Sequence, residues 1–258
     1  GEGMSWIVQK SGGPSVGTPE RIQAVAARVA RTVAQGHKVV VVVSAMHGTT
    51  NALVAMADDA ISGRDWCAAW QALRTRHLDT AAAIAAGNAT LHDALVADFD
   101  ALRKDLEALA AGETDEARIA RVHGLGEVVS SRLVQAALGE DWARLDARDV
   151  LVVHPGEMGV GVEWEASRTK LATWRATQPS QRIVATGFIA RGRDGNDTTL
   201  GRNGSDYSAA ILAHLFDADE LSIWTDVDGV LSADPRLVPD ATVLPTLSYA
   251  EAWELAYF

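Results

Sequence analysis

The sequence predicts an α/β fold, a three-layer α/β/α sandwich around a mainly parallel central sheet, and three observations predict it. Residues 39–43 are all valine, a β-branched run without polar alternation, as expected of a parallel strand buried on both faces. The first forty residues read as strand, glycine-rich loop and helix. Strand-like and helix-like stretches then alternate through the rest of the chain, the pattern of crossover connections. Ligands of such sheets bind at the carboxyl ends of the strands, so the loops that follow the strands are where a site is expected.

Trp6-Ile7-Val8-Gln9 is a short strand that ends at Lys10. The following Ser11-Gly12-Gly13-Pro14-Ser15-Val16-Gly17 holds too much Gly and Pro for a regular element. Thr18 caps a helix with Pro19 at its first position; Ile22, Val25, Ala26, Val29 and Val33 share one face, and Gly36 ends it. After the valine strand, residues 44–51 form a polar loop. Residues 52–138 are mostly helical, in pieces near 52–62, 65–86, 90–110 and 115–138 broken at Gly63, Gly87 and Gly112. Phe99, Leu102, Leu106 and Leu109 mark a face packed on one side. Further strands are read at 145–153 and 182–186, with a helix at 167–177 between them. A hairpin tip follows at Asp194-Gly195, then a strand at 221–225, and Ser248-Tyr249-Ala250-Glu251 is a capping box opening a last helix. Gly1-Glu2-Gly3 ahead of Met4 reads as a tag remnant. One domain over 4–258 is left, and its abrupt end is expected to fall inside a larger protein.

Composition narrows the function classes. Of 258 residues 48% are hydrophobic, and no apolar run approaches the roughly 20 residues needed to span a bilayer; a soluble globular chain without a membrane partner is expected. The single Cys67 excludes an internal disulfide and a cysteine zinc site, which suits a reducing cytoplasm. A net charge of −11 argues against a nucleic-acid surface, which needs basic residues to displace counterions. Small anions remain possible ligands, since a few local cations act against the overall field.

Residues 198–210 are the densest in chemistry. Gly201-Arg202-Asn203-Gly204 leads to Ser205, a good N-cap, and to an apolar pattern at helical spacing through Ala209, Ala210, Leu212, Ala213 and Phe216. A helix N-terminus with Arg202 beside it attracts a carboxylate or phosphate. Asp206 adds the opposite charge, so the pair could hold the two ends of a zwitterion; the plain alternative is an ordinary turn with an aspartate favourable in a first turn. Lys10 with Gly12, Gly13 and Ser15 offers a cation and exposed amides for phosphate oxygens, without the Gly-Lys-Ser/Thr of a P-loop. Its alternative is a simple turn. Glu127 faces either the sheet edge or solvent. Asp226, after Thr225 at a strand end, either reads a ribose or base or closes a turn. Residues 13–17 match G-x-S-x-G, but too little chain precedes them for a hydrolase elbow. Gly124-Leu125-Gly126 lacks the third glycine of a dinucleotide fingerprint, and the seven histidines show no metal-ligand spacing.

Taken together, these stretches resemble the amino-acid kinase family, and within it the catalytic domain of aspartate kinases. Residues 10–16 are similar to the family's Lys-Phe-Gly-Gly-Thr-Ser-Val, residues 41–51 to its Val-Ser-Ala followed by Thr-Asn, and Gly126-Glu127 to its helical Gly-Glu. Residues 200–210, 224–236 and 248–258 match better still. Leu200 to Ser208 and Leu145-Asp146-Ala147-Arg148 resemble the kinase half of bifunctional aspartokinases, where a second enzyme is fused. The resemblance implies the amino-acid kinase fold and transfer of the γ-phosphoryl group of ATP, with Mg²⁺, to the β-carboxylate of L-aspartate. It implies Lys10, Gly12, Gly13 and Ser15 at the phosphates, and Ser44 and Thr50 between phosphate and reacting carboxylate. Glu127, Phe188, Arg202, Ser205 and Asp206 are implied at the aspartate, with Lys10, Thr50, Arg202 and Asp206 as the catalytic set. Thr225, Asp226, Leu231 and Arg236 would border the nucleotide, and no protein metal ligand is assigned. A homo-oligomer is implied for the longer protein. Ser11 stands where the family has Phe, Pro14 where it has Thr and Leu231 where many members have Tyr. These departures keep open a non-catalytic amino-acid-binding or regulatory domain, or a kinase for another acidic substrate.

Overall fold

The computed structural model describes residues 5–156 and 159–224, together with the backbone of 241–245. β1 (Trp6–Ser11) leads through a 3₁₀ turn (Gly13–Val16) into α1 (Pro19–Ala34), and β2 (Lys38–Val43) returns parallel beside β1. Thr18 caps α1 by accepting from the Arg21 N–H, and Pro19 sits where no N–H is needed. Four helices follow in one run, α2 (Thr49–Ile61), α3 (Cys67–Ile84), α4 (Ala89–Ala110) and α5 (Glu116–Leu138). The remaining elements are β3 (Ala143–Leu145), β4 (Val152–Gly156), β5 (Gly159–Val162), α6 (Trp164–Thr177), β6 (Arg182–Thr186), β7 (Ile189–Gly192), β8 (Asp197–Thr199), α7 (Gly204–Leu215), β9 (Glu220–Trp224) and β10 (Ala241–Pro245).

The central sheet has the order β10-β9-β1-β2-β6-β3, parallel from β9 to β3, with β10 antiparallel at one edge. The five valines of β2 show why it lies in the middle. Val39, Val41 and Val43 enter the core shared with α1 to α5, while Val40 and Val42 enter the core shared with α6 and α7, and all five are fully buried. Each contributes about 1.5–3 kcal/mol by leaving water, and the two-residue period sends them alternately into both helical layers. Three layers therefore follow from one strand's composition, as the sequence predicts. Among the described residues no helix is long and apolar enough to cross a membrane.

Three expectations are corrected. The strand expected over 145–153 is interrupted: Asp146 accepts from the Arg148 N–H, a 3₁₀ turn spans Ala147–Asp149, and the Ala147 N–H is taken by the Thr186 hydroxyl. The chain thereby leaves the central sheet, and β4 joins a second sheet of order β5-β4-β7-β8, which the sequence reading does not foresee. The polar loop after β2 is shorter than expected because α2 already begins at Thr49. Ser205 is not the cap of α7; Asn203 is, with φ of 58°, and Ser205 is buried inside the first turn. The hairpin expected around Asp194-Gly195 is present, joining β7 to β8. The capping box at 248–251 lies outside the described residues.

Candidate functional site

The carboxyl ends of β1 and β2 and the start of α7 open onto one cavity of about 390 Å³. Its lining joins Lys10 near the end of β1 and Gly13 from the loop after it, Ser44 to Gly48 from the second loop, Thr50 and Asn51 of α2, Glu127 of α5, Phe188, and Gly201 with Asn203 to Asp206. Parallel strands force this convergence, since every β-to-α loop leaves the same edge.

Lys10 and Asp206 meet on the cavity wall, Nζ to Oδ1 at 2.7 Å, with only 12% and 24% of the side chains exposed. β1 lies parallel to both β2 and β9, and α7 packs across it, which brings the strand end and the helix start together. The sequence reading gives these two charges separate tasks; the structure pairs them. Lys10 carries three N–H donors, so it can keep Asp206 and still donate to an anion.

Glu127 is drawn to the sheet edge, not to solvent. A β-carbon on Gly126 would sit 2.5 Å from the Ala45 methyl, so only glycine lets α5 approach the second loop this closely. That approach lets the Ala45 N–H donate to Glu127 Oε2 at 3.2 Å. Burial pushes the Glu127 carboxyl up to about 8, against the opposing pull of the Ala45 N–H and of the Lys10 charge. At neutral pH the side chain is therefore mainly a neutral acid, poised to ionise when a cation arrives.

Phe188 adopts φ of 71°, a conformation that costs a bulky L-residue about 1–2 kcal/mol. It is held there because its N–H donates to Ser208 Oγ at 2.8 Å and its carbonyl accepts from the Leu200 N–H at 2.8 Å. Its ring packs against Gly204, where a β-carbon would lie 2.6 Å from Cδ1, and the ring forms part of the cavity wall.

In the first loop, the Ser15 N–H donates to the Gly12 carbonyl, closing the 3₁₀ turn. Ser15 is buried and absent from the cavity lining, which sets the hydrolase-elbow reading of residues 13–17 aside. Ser11 has an anchor of its own. Its hydroxyl accepts from Arg28 Nη2 at 2.7 Å, and the Arg28 guanidinium lies 3.8 Å from the Trp224 ring centroid. A buried polar contact thus occupies the place of the apolar anchor expected for Phe. The Pro14 carbonyl accepts from Arg21 Nη1 at 3.1 Å, tying the loop to α1.

Of the expected site residues, Lys10, Gly13, Ser44, Thr50, Glu127, Phe188, Ser205 and Asp206 line the cavity. Gly12 lies behind Lys10, and Arg202 is exposed between Gly201 and Asn203, which do line it. Both flanking residues have positive φ, 77° and 58°. Thr225, Asp226, Leu231 and Arg236 lie outside the described residues. Sequence reasoning misses the Ala45 N–H and Asn203; the first has no side-chain signal, while the asparagine ahead of Gly204 is a turn signal that placing the cap at Ser205 passes over.

The profile of the amino acid kinase family matches residues 5–258. The chain belongs to the amino acid kinase family. Its relatives include the chloroplastic bifunctional aspartokinase/homoserine dehydrogenase 1 of Zea mays, 40% identical over 265 residues that cover 100% of this chain and 29% of that protein. The aspartokinase of Pseudomonas aeruginosa is 33% identical over 253 residues, 98% of this chain and 50% of that one. Among solved structures, E. coli aspartokinase III in complex with aspartate and ADP superposes with a TM-score of 0.74 at 27% identity, covering 85% of this chain and 49% of that one. This family member therefore spans half or less of the length of these relatives.

Proposed function

We propose that the chain is the catalytic domain of an aspartate kinase, transferring the γ-phosphoryl group of ATP to the β-carboxylate of L-aspartate to form 4-phospho-L-aspartate. The observation that carries this reading is the convergence, in one cavity, of the Lys10–Asp206 pair, the buried acid Glu127 and the glycine-lined start of α7. The resemblance to aspartokinases along the full length of the chain supports it.

Each residue's part follows from its chemistry. A β-carboxylate with a pKa of about 3.9 is ionised at neutral pH and needs no general base. The obstacle is repulsion between two anions, so catalysis is positioning plus electrostatics. Lys10, oriented by Asp206, would place its ammonium on the transferring phosphate, and the backbone of Gly12 and Gly13 would approach the same oxygens. Ser44 and Thr50 would lie between phosphate and carboxylate. Glu127 would give up its proton and hold the substrate ammonium, and Arg202 would swing over the mouth of the cavity to take the α-carboxylate, beside Ser205 and Phe188. Thr225, Asp226, Leu231 and Arg236 would border the nucleotide. The oxygen-rich lining suits Mg²⁺, with Asp206 available to it; when bound on the phosphates, Mg²⁺ supplies further neutralisation of their charge. Among the described residues no group of three or more His, Cys, Asp or Glu could hold a metal by itself, so the ATP phosphates would hold Mg²⁺ in the main.

The longer protein we infer is a homo-oligomer, fused to a second enzyme as in the maize relative, and working in the cytoplasm. Incubating the full-length protein with Mg-ATP, L-aspartate and hydroxylamine should yield aspartyl hydroxamate. No hydroxamate at any aspartate concentration would refute the proposal.

A further inference from the structure

We propose that Arg76, on α3 and outside every motif of the site, is a positioning residue that clamps the loops after β1 and β2 together. Its guanidinium donates through Nη1 to the His47 carbonyl at 2.7 Å and through Nη2 to the Gly17 carbonyl at 3.2 Å. His47 belongs to the second loop and lines the cavity; Gly17 closes the first, whose Gly13 lines it too.

The two loops are already close. A β-carbon on Gly13 would lie 3.4 Å from the Ala45 carbonyl, and one on Gly17 3.4 Å from the His47 β-carbon. At the strand ends the Ser44 N–H donates to the Ser11 carbonyl at 3.2 Å. Beyond that bond, contact alone would let the loops part, and the arginine fork adds two charge-assisted hydrogen bonds. A lysine point charge cannot reproduce the fork. Arg76 is itself fixed by its helix: Leu73, His77, Thr80 and Ala81 bury one face of α3, and the Thr80 hydroxyl donates to the Arg76 carbonyl at 2.8 Å. Through this side chain α3, which lends no residue to the cavity lining, reaches both loops. Because the acceptors are neutral carbonyls, the arginine charge is left to favour anions at the adjoining loops.

The kinetic part of the test rests on the aspartate kinase reading; the exchange part does not. In the full-length protein, Arg76→Ala and Arg76→Gln should lower kcat/KM for Mg-ATP by roughly tenfold or more, with Arg76→Lys recovering only a small part, since misplacing reacting groups by about 1 Å costs up to about a hundredfold. A wild-type rate in Arg76→Lys, or in Arg76→Ala, would overturn the clamp. Amide hydrogen exchange without substrate is the second readout. Peptides covering 12–17 and 44–48 should exchange faster in Arg76→Lys, while those from β6 stay unchanged; protection equal to wild type, or uniform acceleration across the chain, would overturn it. Should the wild type make no acyl phosphate, the proposed function falls and exchange still decides the role of Arg76.

Discussion

Glu127 shows how much one buried proton can govern. Its carboxyl is held near 8 in the folded protein and sits near 4.5 when unfolded, so folding favours the neutral form. The stability this contributes is complete below about pH 4.5 and is lost as pH rises to about 8, amounting to a few kcal/mol by the usual conversion. Glu127→Gln cannot ionise and should be the more stable protein at pH 8, with the difference vanishing near pH 4; denaturant midpoints at the two pH values measure it. In the wild type, binding an ammonium beside Glu127 should release a proton at pH 7, seen as a buffer-dependent heat in calorimetry and absent in the Gln variant. Ser11 offers a second test. With its hydroxyl on the buried Arg28 guanidinium, Ser11→Ala should cost about 1–3 kcal/mol, read as a lowered denaturant midpoint at unchanged slope. Ser11→Phe, the residue the family resemblance expects, would drive a ring into the Arg28 position and should be worse than Ala.

At the scale of elements, α3 and α5 reach the site by opposite routes. α5 does so through Gly126; Gly126→Ala places a methyl 2.5 Å from Ala45, should separate helix and loop at a cost of about 1–3 kcal/mol, and should weaken aspartate binding, which calorimetry on the full-length protein would show. α3 depends on buried His77, which packs at a tilt against the Phe99 ring and is bonded through Nδ1 to the Leu73 carbonyl at 2.9 Å. Burial depresses its pKa to about 4. The unfolded chain takes up the proton first, so the stability is intact above about pH 6.5 and lost as pH falls toward 4, roughly 2 kcal/mol by pH 5. His77→Phe should flatten this acid limb. The valine strand, the Thr18 cap and the four helices were legible because each is specified locally, by composition, a hydroxyl or a glycine break. The second sheet was not, because what diverts the chain after Leu145 is a contact between Ala147 and Thr186, remote in sequence. Glu127 could be singled out from its Gly-Glu pair, yet its burial depends on Ala45, and Arg76 carries no motif at all.

Two helical layers pack on opposite faces of the central sheet, and the cavity at the carboxyl ends of its strands draws on both: Glu127 and Thr50 belong to the layer of α1 to α5, Asp206 and Ser205 to α7 on the other side. A ligand held by both layers binds only when they are assembled, so its binding energy adds to global stability. At a hundred times its dissociation constant, aspartate should stabilise the folded state by about 2.7 kcal/mol, raising the thermal midpoint by roughly 5–11 °C for a chain of this size. Arg202→Ala separates binding from folding. The side chain is exposed on its turn, so the ligand-free midpoint should move little, while the increase with aspartate should vanish and the increase with Mg-ATP persist. Scanning calorimetry of the full-length protein measures all three, and an undiminished aspartate shift in Arg202→Ala would remove Arg202 from the substrate clamp, leaving Glu127, Ser205 and Asp206 to account for recognition.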